Sequence, residues 1–135
     1  MIKNECKVIT KNKLIIFSEK RSKLTVQNTR NSEVTKIVVD GCQITSGIRC
    51  DHLMIVDEVE YFIELKGQDI EHALEQIEET ISDLSGDPKY SEKIAFIICT
   101  RSPLTSTSIQ NHQVKFRKKF KCKLIIKSSP YLYEV

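Results

Sequence analysis

The run KIAFIIC at residues 93 to 99 is apolar at positions that face both sides of a sheet. A strand buried on both faces belongs to the parallel interior of a sheet, and a parallel neighbour must be reached by a crossover. The segment before it supplies one. Ile70, Ala73, Leu74, Ile77, Ile81 and Leu84 recur at the spacing of one helical stripe, Asp69 stands where an N-cap belongs, and Gly86 and Pro88 close the segment. Upstream, CDHLMIV (50 to 56) and EYFIELK (60 to 66) read as two strands of a hairpin about the polar tip Asp57-Glu58.

The flanks add further short elements. KLIIF (13 to 17), KLTVQ (23 to 27) and TKIVVD (35 to 40) read as strands, with Asp40-Gly41 as a turn. After the loop TRSPLTSTS, Ile109, Gln113, Phe116 and Phe120 mark a weaker helix carrying Lys115, Arg117, Lys118 and Lys119, and CKLII (122 to 126) is a final strand. The expected fold is α/β, with a mixed central sheet that is antiparallel in its first half, crossover-connected in its second, and flanked by helices. At 135 residues, without a repeat or a Pro/Gly-rich linker, residues 1 to 135 read as one domain.

No apolar run approaches 18 residues and the start MIKNECKVITKNK has no secretory apolar stretch, so a soluble, cytoplasmic protein with no membrane partner is expected. The five cysteines (Cys6, Cys42, Cys50, Cys99, Cys122) are odd in number, sit mostly in strand-like segments and never form C-x-x-C. Buried free thiols are expected, against a zinc site or a disulfide framework.

Three ionisable side chains, Asp51, Glu64 and Lys66, interrupt the apolar hairpin. Residues i and i+2 of a strand share a face, so Glu64 and Lys66 point the same way as Phe62. If the hairpin turns on Asp57-Glu58 alone, residue numbers across the ladder sum to 115 and Asp51 lies opposite Glu64. A four-residue loop pairs Asp51 with Lys66 on that same face, whereas a three-residue loop throws Asp51 to the other side. Two carboxylates side by side in a half-buried sheet are costly without a cation between them, and an oxygen-rich pair suits Mg²⁺ or Mn²⁺. Such an ion can polarise a phosphate and acidify a water, and Lys66 can stabilise charge developing on phosphorus. The structural alternative is a salt bridge from Lys66 to either acid at a sheet edge.

Charge is sorted along the chain more than its net value of +3 suggests. Residues 1 to 50 hold ten Lys/Arg against four Asp/Glu, residues 51 to 90 two against twelve, and residues 91 to 135 nine against two. An acidic centre framed by cations suits a metal site that takes a polyanion, although charged helix surfaces alone give the same tally. The run KFRKKFKCK (115 to 123) reads either as an amphipathic helix end or as a phosphate-tracking stripe. Other chemistries find little support: the three histidines are scattered, the Ser/Thr-rich loop has no partnering base, and no G-x-G-x-x-G or Walker-type loop occurs.

Asp51, followed after twelve residues by Glu64-Leu65-Lys66, then Gly67 and an amphipathic helix, resembles the core of the PD-(D/E)XK (restriction endonuclease-like) phosphodiesterase superfamily across residues 35 to 99. The resemblance implies Mg²⁺-dependent hydrolysis of DNA or RNA, with Asp51 and Glu64 as metal ligands and Lys66 as the catalytic lysine. Gln76 resembles the glutamine that some exonuclease-like members carry on the helix after the motif. Cys50 stands where the family's Pro is found, and strands replace the helix that opens the family core and often supplies another acid. Glu33 and Asp40 are the nearest substitutes for that acid.

Three functions are compatible with these residues: a small metal-dependent nuclease; a catalytically silent member of the fold that binds a protein partner, such as an immunity or accessory factor in a toxin or defence system; or a nucleic-acid-binding module that does not cleave. A homodimer is compatible with each. In a parallel arrangement of strands 60 to 66 and 93 to 99, Arg101 shares a rim with Lys66 and is expected to contact phosphate, helped by Lys115 or Lys118. Alternatively Arg101 caps its loop or pairs with Glu92.

Overall fold

The computed structural model describes residues 2–66, 69–100 and 105–135, with Lys66 described through its backbone alone. The protein is mixed α/β; the described residues form two α-helices and a mixed six-stranded sheet in the order β1-β4-β5-β6-β7-β8. These strands span Lys7–Thr10 (β1), Val34–Val38 (β4), His52–Val56 (β5), Val59–Lys66 (β6), Lys93–Cys99 (β7) and Cys122–Ser128 (β8). A second sheet holds β2 (Leu14–Glu19), β3 (Ser22–Gln27) and β9 (Tyr131–Glu134). The helices are α1 (Ile70–Leu84) and α2 (Ser106–Phe120).

The β5-β6 hairpin turns on two residues. Asp57 and Glu58 have φ values of 50° and 67°, the left-handed pair that matches the twist of the flanking strands, and Val56 pairs with Val59. Thereafter β6-α1-β7 and β7-α2-β8 are parallel units, with Glu64 level with Ile97 and Lys66 level with Cys99. Asp69 caps α1 by accepting the His72 N–H, and Ile70, Ala73, Leu74, Ile77 and Ile81 are buried along its stripe. Each of those larger aliphatic side chains contributes about 1.5–3 kcal/mol of burial.

Both helices pack on one face of the large sheet, over Phe62, Ala95, Ile97 and Leu124. The opposite face, with Met54, Ile63, Phe96 and Ile125, is covered instead by Ile15, Phe17, Leu24 and Val26 of the small sheet. Helix, sheet and sheet therefore form three layers, where helices flanking the central sheet were expected. The reason lies in β2 and β3, which turn Ile15, Phe17, Leu24 and Val26 to one side while Leu14 and Ile16 stay exposed on the other, and the shared apolar face has to be buried against something.

Other differences have local causes. Four-residue β1 and β9 are too short to announce themselves, and both are recruited by neighbouring strands, β1 by β4 and β9 by β3. The second helix begins earlier than Ile109, because Thr105 accepts the Ser108 N–H and caps it. Cys50 and Asp51 fall outside β5, since side chains take their N–H groups. Cys6 and Cys42 form a disulfide, which corrects the expectation of five free thiols; the 3-10 turn Asn4–Cys6 and the turn after β4 bring their Cα atoms to 5.7 Å. Cys50, Cys99 and Cys122 are buried free thiols as expected. Among the described residues no helix is long and apolar enough to cross a membrane.

Candidate functional site

The two-residue turn sets the register, and the register sets the site. With His52 opposite Ile63, the next pair outward is Asp51 and Glu64. Glu64 is only 2% exposed and faces the helix layer with Phe62, whereas Asp51 is half-buried. Glu64 Oε1 accepts the Asp51 N–H at 3.1 Å, and Asp51 Oδ2 accepts the Leu65 N–H at 2.9 Å. The two carboxylates thus replace ladder hydrogen bonds just where β5 ends. Lys66 lies two residues on from Glu64 along β6; its side chain is outside the described residues.

Helix α1 fixes the chain that leads into Asp51. Thr80 is fully buried; its hydroxyl accepts the Cys50 N–H at 2.8 Å and donates to the Gln76 carbonyl at 2.7 Å. Gln76 Nε2 donates to the Arg49 carbonyl at 2.9 Å, while Gln76 Oε1 is buried without a hydrogen-bond partner. Arg49 pairs with Asp40 at 2.8 Å and also donates to the Gly47 carbonyl. Asp40, Arg49, His72 and Gln76 border a cavity of about 290 Å³ at this end of the sheet. Burial, with the Glu64 and Asp51 carboxylates adding to it, pushes the Cys50 thiol up to about 12, so Cys50 is a packing residue and not a nucleophile.

Asp40 stands at the site's end of the sheet, where its N–H donates to the Asp51 carbonyl at 3.3 Å. Glu33 precedes Val34, which pairs with Val56, so it sits at the opposite end of β4 beside the hairpin turn. Lys115 extends to Glu78 of α1 at 3.6 Å, and Lys118 is exposed in the last turn of α2. Arg101 lies outside the described residues. Among the described residues no group of three or more His, Cys, Asp or Glu side chains gathers.

Sequence reasoning missed two groups. Thr80 carries a legible signal, a polar residue within the apolar helical stripe. Lys20 and Arg21 carry none: the β2-β3 turn brings them, with Leu65 and Thr100, around a cavity of about 220 Å³ on the other face of the same rim. A second buried charge pair, at the far end of the same face, is saturated by the chain itself. Glu60 accepts from Ser85, Gly86 and Ser91, and Lys93, level with it, donates to the Ser91 and Phe120 carbonyls at 2.6 and 3.0 Å. That cluster ties the loop after α1 to the sheet.

No family model, curated protein or solved structure matches this chain.

Proposed function

We propose that the protein is a metal-dependent phosphodiesterase of the PD-(D/E)XK kind acting on DNA or RNA, with Asp51, Glu64 and Lys66 at its centre. The observation that carries the reading is the register that puts Asp51 opposite Glu64 on adjacent strands, followed by α1 and parallel β7. Two carboxylates are a donor set that fits Mg²⁺ or Mn²⁺, hard cations that take one or two protein carboxylates and complete their shell with water and substrate phosphate. When bound, such an ion supplies positive charge to a phosphoryl oxygen and acidifies water. The chain's own residues hold the geometry: Thr80 and Gln76 clamp residues 49 and 50 so that Asp51 faces Glu64, and Lys66 supplies a cation along the same strand. Lys20 and Arg21 add positive charge at the rim. A cytoplasmic location belongs to the same reading.

One observation favours the silent alternative, a fold that binds a protein partner. Asp51 and Glu64 each already accept a main-chain N–H, as structural carboxylates do. Titration of Mg²⁺ and Mn²⁺ into the parent, Asp51→Asn and Glu64→Gln, beside cleavage of labelled single- and double-stranded DNA and RNA, separates the two. Binding and cleavage by the parent that both substitutions abolish support the nuclease. A titration without heat and intact substrates overturn it in favour of the silent fold.

A further inference from the structure

The strand β8 ends the six-stranded sheet, and along its outer edge runs a cavity of about 490 Å³. Five consecutive residues, Lys123 to Lys127, form its floor; α2 makes one wall, and Tyr131 and Tyr133 of β9 make the other. Lys123, Ile125 and Lys127 share a face of β8, and Ile125 packs in the core that also holds both tyrosines. Both rings are held against Phe96, at centroid distances of 6.4 and 4.9 Å, and remain half-exposed toward the groove. Arg117 of α2 adds a third cation, and among the described residues no Asp or Glu lines the cavity.

Two kinds of extended polymer suit a groove at a sheet edge: a peptide strand that pairs with the edge, or a nucleic-acid strand laid along it. The edge is blunted against pairing. Gln113 Nε2 already occupies the Leu124 carbonyl at 3.0 Å, and lysines at 123 and 127 are the side chains that discourage strand addition. A nucleic-acid strand needs no main-chain groups. It needs cations for phosphates and aromatic faces for bases, and only an unpaired base has a face to offer.

We infer that this groove binds single-stranded nucleic acid, with Arg117, Lys123 and Lys127 on phosphates and Tyr131 and Tyr133 against bases. The inference rests on the nuclease reading and extends it by naming the substrate form. Ile126 is level with Ile97, and Ile97 with Glu64, so the Lys127 end of the groove lies at the same end of the sheet as the carboxylate pair, two strand spacings (about 10 Å) across it, with Lys127 on the face opposite Glu64. A strand that leaves the groove there rounds the end of the sheet to reach the rim where Asp51 and Glu64 stand.

The test is binding of fluorescein-labelled dT12, and of a 12-base-pair duplex, to the whole protein in EDTA at several salt concentrations. The comparison is between the parent, the double variant Lys123→Glu with Lys127→Glu, and a control with Lys11→Glu and Lys13→Glu on the far side. All substituted residues are exposed, and urea unfolding verifies each fold. The parent is expected to prefer dT12, and the groove variant to lose at least tenfold in affinity, with a salt slope reduced by about 1.4 for two phosphate contacts. The chain has no tryptophan, so quenching of its tyrosine fluorescence by dT12 reads the stacking directly. Equal binding of dT12 by parent and groove variant overturns the groove and leaves the nuclease reading intact. Absence of binding to either oligonucleotide overturns both. Displacement of dT12 by a decapeptide of alternating Glu and Val assigns the groove to a protein strand and overturns the inference.

Discussion

Asp51 and Glu64 each accept the main-chain N–H of the other's strand, at 3.1 Å from Asp51 N to Glu64 and 2.9 Å from Leu65 N to Asp51. Charge and hydrogen bonding can be separated at this pair, because Gln in place of Glu64 keeps an acceptor oxygen and loses only the charge. Glu64→Gln is expected to stay within about 1 kcal/mol of the parent in urea unfolding, while Glu64→Ala leaves the half-buried Asp51 N–H without this acceptor and loses about 1–3 kcal/mol. Both variants should fail to bind Mg²⁺. Equal stability of the two would mean that the carboxylate's hydrogen bond contributes nothing to the fold.

Thr80 reaches the site only through the backbone. Thr80→Val removes the acceptor of the buried Cys50 N–H and should cost about 1–3 kcal/mol, with Thr80→Ser close to the parent. Since Asp51 is the next residue, Thr80→Val is also expected to weaken Mg²⁺ binding several-fold in calorimetry, whereas Thr80→Ser should restore it. Unchanged metal affinity in a folded Thr80→Val protein would remove Thr80 from the positioning of Asp51.

His52 gives the fold an acid sensitivity. Its Nε2 is buried without a hydrogen-bond partner, its ring lies 5.2 Å from that of Phe17, and burial, aided by Lys36, lowers its pKa to about 4. Unfolded, the imidazole titrates near 6.5. The unfolded chain therefore binds the extra proton first, and stability falls as pH drops from about 6.5 to about 4 and levels off below, by up to about 3 kcal/mol. Urea midpoints measured at pH 7 and pH 4.5 should differ more for the parent than for His52→Leu; equal differences would locate the acid sensitivity elsewhere.

The Cys6–Cys42 disulfide closes a sequence separation of 36 residues. By loop entropy it contributes about 3–4 kcal/mol against the unfolded chain. Dithiothreitol is expected to lower the melting temperature of the parent by several degrees and to leave Cys6→Ser with Cys42→Ser unmoved. Intact-mass analysis of alkylated protein should show three accessible thiols after unfolding without reductant and five with it.

Local physics made one stretch of this chain readable. Between residues 50 and 99 each signal depends on neighbours in sequence: a polar tip between two apolar strands, a 3.6-residue stripe behind an Asp cap, and a strand apolar on both sides. From these the antiparallel-then-parallel order followed, while the sequence left three loop lengths open, and the two-residue turn found in the structure selected the register that pairs Asp51 with Glu64. Cys50 and Asp51 showed the limit of that reading, because whether they belong to the ladder was decided by Thr80 and Glu64, which are distant in sequence.

The tertiary structure decided everything that depended on which surfaces meet. YLYE at the C-terminus carries no turn signal and pairs with β3, more than a hundred residues away, because the apolar face of the β2-β3 hairpin covers Phe96 and leaves room for Tyr131 and Tyr133 beside it. Cysteine spacing could not foretell the Cys6–Cys42 bond, which exists because β1 lies against β4. The basic run of residues 115 to 123 was legible as charge and not as direction. Helical and strand geometry split it, sending Lys115 and Lys119 to Glu78 and leaving Arg117 and Lys123 at the open edge of β8. A linear pattern specifies which side chains share a face, and only packing specifies what that face looks at.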